Sequence, residues 1–150
     1  MKPARKHPRL DDKSLYSDPS RITHIIIKFV SAADNDLYVV IKSVLINTAE
    51  EKHLNIYAFS IMPDHIYILT SQNNDFGVIE FVKTVKGRVK ALVRNCGIKI
   101  EFQTSFYDHI LRKDEDVVTV AKYIINNPVR KGITGLFGDH VYSGSLVYKF

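Results

Sequence analysis

Three features of the sequence predict an α+β domain: segments of period-2 and period-3.6 hydrophobicity, their order along the chain, and the turn residues that separate them. The order strand, helix, strand, strand, helix, strand is the split βαβ arrangement. It predicts a four-stranded antiparallel sheet of ferredoxin-like, RRM-like type, with two helices on one face and a third helix appended towards the C-terminus. One domain is enough, because a chain of 150 residues fits a single hydrophobic core.

Residues 1–20 are polar and basic and are broken by Pro3, Pro8 and Pro19, so they read as a flexible basic arm ahead of a domain over 21–150. Lys2, Arg5, Lys6 and Arg9 precede no apolar run, which argues against a signal peptide or anchor. Ile22 to Val30 is apolar and β-branched apart from His24 and Lys28, and reads as the first strand. Asp34 or Asn35 can cap a helix carrying Leu37, Ile41, Val44, Leu45 and Thr48 on one side and ending near His53. Leu54 to Ile61 and His65 to Thr70 read as antiparallel strands joined tightly through Met62, Pro63 and Asp64.

Past a polar loop, Val78, Val82, Val85, Val89 and Leu92 form one stripe of a long helix. Lys83, Lys86, Lys90 and Arg94 recur at spacings of three and four on its other side, as either a solvated face or a stripe that tracks phosphates. Phe102 to Leu111 reads as the fourth strand. Asp114 caps a third helix from about Glu115 to Asn126 or Asn127, which Pro128 stops. The segment containing Gly132, Gly135, Gly138 and Gly144 is loop-rich.

With 45% hydrophobic and 25% charged residues, the composition excludes collagen, general disorder and a membrane span, so no membrane partner is expected. The single Cys96 excludes an internal disulfide and a paired-cysteine metal site, which points to a reducing, cytoplasmic location. A net charge of +5 and a pI near 9.3 favour a polyanionic partner, since clustered cations release counterions from phosphates.

His65 and Tyr67 are two apart on a strand and so share a face. An imidazole there can bind a divalent metal, although a strand histidine taken alone is more often a hydrogen-bonded structural residue. Tyr123 and Asn127 are four apart on the third helix and share a face too. A neutral phenol is a poor nucleophile, so its attack on phosphorus calls for a cation to neutralise the phosphate oxygens. The amide oxygen of Asn127 is a hard ligand suited to such a cation, but the residue can equally close the last helical turn.

Met62-Pro63-Asp64-His65-Ile66-Tyr67-Ile68-Leu69 resembles the stretch of the single-tyrosine HUH transposases in which two histidines flanking a bulky apolar residue bind the metal. Phe106 to Arg112, followed by Tyr123 to Gly132, resembles the catalytic region of the REP-associated tyrosine transposases. Asp139 to Ser145 resembles that family's closing segment, so the likeness runs from about Arg21 to Ser145. It implies that the appended helix is catalytic, with Tyr123 as the nucleophile that forms a 5′-phosphotyrosine. It also implies a divalent metal, Mg or Mn, held by His65 and Asn127. Tyr67 stands where the family has its second histidine, and either it or a water completes the coordination. The basic residues Lys83, Lys86, Arg88, Lys90 and Arg94 of the long helix, with Arg130 and Lys131, are the expected DNA contacts.

The implied activity is a single-stranded DNA endonuclease and strand transferase acting on hairpin-flanked DNA. The alternative is a domesticated module that binds a DNA hairpin or a single strand without cutting. The sequence leaves open whether one chain acts alone or a homodimer shares its sites.

Overall fold

The structure is a computed structural model and describes residues 20–31, 35–132 and 142–150. The expected arm over 1–20 lies outside the described residues except for Ser20. Strand β1 (Ile22–Ser31) leads to helix α1 (Asn35–Lys52), then β2 (Ile56–Ile61), β3 (His65–Ser71) and α2 (Val78–Arg94). Two short strands follow, β4 (Ile100–Phe102) and β5 (Tyr107–Ile110), then α3 (Val117–Ile125), the short α4 (Asn127–Arg130) and β6 (Ser143–Gly144).

All the strand pairs are antiparallel, in the order β4-β1-β3-β2-β6, and β5 shares with β4 the outer edge of β1. The split βαβ topology is as expected, with more strands than the four expected. The segment anticipated as one strand from Phe102 to Leu111 is two, because the chain bends away from the ladder on β1 at Thr104 and Ser105, and Phe106 beyond the bend turns its ring into the core (5% exposed). Pairing resumes with Tyr107 opposite Ile26.

Alternation along β1 and β3 assigns each residue to a face. Ile25, Ile27 and Phe29, with Ile66 and Ile68, join the core made with α1 and α2. Fully burying each such side chain contributes about 1.5–3 kcal/mol. Leu69 and Ala58 face the other way, against Ala121, Ile124 and Ile125 of α3. The appended helix therefore lies on the sheet face opposite α1 and α2.

Two helix boundaries differ from expectation. The cap of α3 is Asp116 rather than Asp114: its carboxylate accepts from the backbone N–H of Thr119 at 3.0 Å, while Asp114 pairs with Arg112. Pro128 does not end the helical path. It sits in the first turn of α4, where its missing N–H costs nothing, and the N–H of Arg130 reaches back to the carbonyl of Asn126 at 3.1 Å. The end of α1 is as expected: His53 takes φ 56°, a left-handed position that closes a helix.

Candidate active site

The uncovered end of the α3 face holds a pocket of about 430 Å³ lined by His24 and Ile26 of β1, Tyr67 of β3, Tyr107 of β5, and Tyr123, Asn127, Arg130 and Lys131. Strand register explains the floor. Ile26 pairs with Tyr67 and with Tyr107, and directly opposed residues point to the same face. The ring of His24 stacks on Tyr67 with centroids 6.2 Å apart and meets Tyr107 edge-on at 6.1 Å.

Helix α3 supplies the wall. Its start is anchored by Glu115, which accepts from the backbone N–H of Arg112 at 2.9 Å and is hydrogen-bonded to Nε2 of His109 at 2.8 Å. The bond from Arg112, followed by the contact with His109, holds the Glu115 carboxyl below its usual range. His109 is thus engaged in positioning α3.

One turn apart on the pocket side, Tyr123 is 57% exposed and Asn127 only 3%. Arg130 joins them. Its guanidinium lies 3.6 Å from the centre of the Tyr123 ring, donates to the Tyr123 carbonyl at 2.6 Å, and donates to Oδ1 of Asn127 at 2.8 Å. With its oxygen turned to Arg130, the Asn127 amide leaves Nδ2 buried and without a partner. The other side chain of this kind among the described residues is His24, whose Nε2 is buried and unpartnered. Burial, assisted by His109 and opposed by Glu115, lowers the His24 pKa from 6.5 to about 4, so its ring is neutral near pH 7.

The residues expected at the site are thus brought together unequally. Tyr123, Asn127, Tyr67, Arg130 and Lys131 share the pocket. His65 stacks on the far side of Tyr67 at 5.8 Å and lines a neighbouring cavity with Lys28, Asp64 and Gln103. Asp64 binds Nδ1 of His65 at 2.5 Å, which leaves Nε2 as the ring's lone-pair nitrogen. No group of three or more His, Cys, Asp or Glu that could hold a metal occurs among the described residues. One hard amide oxygen and a nearby imidazole nevertheless fit a divalent ion that takes its other ligands from substrate and water.

The basic residues divide between the two faces. Lys83, Lys90 and Arg94 are exposed on α2, across the sheet from Tyr123. On the same helix, Arg88 is bound to Oγ1 of Thr48 at 3.1 Å and to Glu51 at 2.8 Å. Lys86 donates to the Gln103 carbonyl at 2.7 Å, and burial followed by the proximity of Lys90 lowers its pKa. Sequence reasoning passed over His24, Tyr107 and the pairing of Arg130 with Asn127. The signal for His24 was present as a polar residue interrupting an apolar strand.

The model of the family described as IS200-like transposases matches residues 23–127, and the chain belongs to that family. A REP-associated tyrosine transposase of Escherichia coli strain K12 is 25% identical over 107 residues, covering 71% of this chain and 63% of the relative. A Haemophilus influenzae relative of the same designation is 28% identical over 111 residues, covering 64% and 61%. The matches therefore span about three-fifths of the length of these curated relatives. The solved structure of a REP-associated tyrosine transposase bound to a REP hairpin superposes with a TM-score of 0.71 at 18% identity, covering 95% of this chain and 82% of that one, which confirms the fold. No helix among the described residues is long and apolar enough to cross a membrane.

Proposed function

We propose that the protein is a metal-dependent single-stranded DNA endonuclease and strand transferase in which Tyr123 is the nucleophile. The observation that carries this reading is the exposed phenol of Tyr123 at the mouth of a pocket that also holds Asn127, Arg130 and Lys131. Arg130 and Lys131 bind and orient the backbone of the strand, since phosphates gain from cations at close range. The Tyr123 oxygen attacks phosphorus in line, forming a 5′-phosphotyrosine and breaking the bond to the 3′ oxygen. The phenolic proton passes to solvent, and the departing oxygen takes one from water to leave a free 3′-hydroxyl. Attack by another 3′-hydroxyl reverses the step and rejoins the strands. A bound Mg or Mn ion, held by Asn127 and an imidazole (His65 in the set that the family pattern implies), supplies charge neutralisation at the phosphate.

Hairpin-flanked DNA is the substrate best supported, because the superposed relative is bound to a REP hairpin. Incubating the chain with labelled hairpin-flanked single strands and manganese should give a protein–DNA adduct that survives denaturation. A chain that retards the hairpin but forms no adduct supports the second reading, a binding module, for which Tyr67 in place of a histidine is the motive.

A further inference from the structure

We propose that His24, on the strand beside Tyr67, is the imidazole ligand of the metal held with Asn127. The assignment rests on the metal-dependent reading above and names a ligand which that reading leaves to the family pattern. Tyr67 of β3 stands where the family pattern has a second histidine, yet the pocket that contains Tyr123 and Asn127 still contains an imidazole. It comes from β1, on the same sheet face, with its ring stacked on Tyr67.

Two further observations separate His24 from His65. The first is position: His65 pairs across the strands with Lys28 and lines a neighbouring cavity with that side chain and Gln103, whereas His24 lines the pocket that holds Tyr123 and Asn127. Asp64 of that neighbouring cavity is bound to Nδ1 of His65. The second is hydrogen-bonding capacity. Nε2 of His24 and the Asn127 amide are the two buried side-chain groups without a partner among the described residues, and both belong to one pocket. Buried polar atoms left open in this way call for a partner that the protein does not supply, a water or an ion. A half-turn of the amide, once Arg130 withdraws, exchanges Nδ2 for Oδ1. The two groups then offer one nitrogen and one oxygen, the donor pair that manganese accepts.

The probe is Mn²⁺ alone, titrated into the full chain carrying ¹⁵N-labelled histidine. The paramagnetic ion should broaden the ring signals of His24 at lower concentrations than those of His65. By electron paramagnetic resonance of free Mn²⁺, His24→Ala should weaken binding about tenfold or more, whereas His65→Ala should change it by less than about twofold. Because a half-buried ring removed from β1 could unfold the strand, the broadening in the unaltered chain stands as a separate readout. Sharp His24 signals alongside broadened His65 signals overturn the assignment, as does a folded His24→Ala variant that binds Mn²⁺ like the parent. Formation of the covalent adduct with His24 still sharp rejects this ligand and leaves the cleavage reading standing. Broadened His24 without any adduct does the reverse.

Discussion

The face of the sheet under α1 and α2 is closed by aliphatic and aromatic side chains, whereas the face under α3 is closed at one end only. On the first, Ile25, Ile27, Ile66, Ile68 and Phe81 are buried with no polar atom to satisfy. On the second, the small cluster around Leu69 and Ile124 gives way to His24, Tyr67 and Tyr107, which α3 leaves partly uncovered. The same strands thus close a core on one side and line the candidate site on the other. Alternation lets the two be altered independently.

The largest effect expected from breaking this contrast is on the open face. Tyr123→Phe should abolish the covalent adduct in denaturing gels while keeping stability within about 0.5 kcal/mol, because the hydroxyl belongs to an exposed side chain. On the closed face, Phe81→Ala should cost about 3–5 kcal/mol in urea unfolding, since its ring is 1% exposed and its removal leaves a cavity.

An acid titration sharpens the comparison. His24 is held neutral in the folded chain, with a pKa near 4 against 6.5, and is protonated on unfolding below 6.5. In EDTA, stability should be intact above about pH 6.5 and fall as the pH drops towards 4, by at most about 3 kcal/mol. Replacing His24 by Phe should flatten that slope.

Smaller effects are expected among the cations. Arg130→Ala releases Oδ1 of Asn127 and should raise Mn²⁺ affinity of the DNA-free chain several-fold while weakening DNA binding. Lys131→Ala, at the pocket, should lower the logarithmic salt slope of DNA binding by about 0.9 or less. Arg88→Ala should leave that slope unchanged, because its guanidinium is already engaged by Glu51 at the surface and by the buried Thr48.

Periodicity made the closed face readable, because each apolar stripe has one place to go. The pairing of Tyr123 with Asn127 was readable for the same reason, as both lie on one side of a helical path. What periodicity does not carry is register between strands. That His24 comes beside Tyr67 depends on Ile26 pairing with Tyr67, and two strands separated by a helix and a third strand do not declare their offset. The split at Thr104 and Ser105 was hidden likewise, since a bend between two paired segments looks like strand until the partner of each is known. That Arg88 meets Glu51 and Thr48 was hidden as well, because helix spacing shows which residues share a side, not which groups on α1 meet them.

The position of β1 inside the sheet bears on how the chain is made. Its Ile22-Thr-His-Ile-Ile-Ile-Lys-Phe-Val run pairs with β3, β4 and β5, all of which follow it in the chain, so during synthesis it emerges before any strand able to cover it. Such a run is prone to pair with copies of itself on neighbouring nascent chains. His24 and Lys28 interrupt it at the residues that face the open side. Polar side chains at these two positions break the run in the manner of gatekeepers, and replacing both by apolar residues should move newly made protein from the soluble fraction into aggregates.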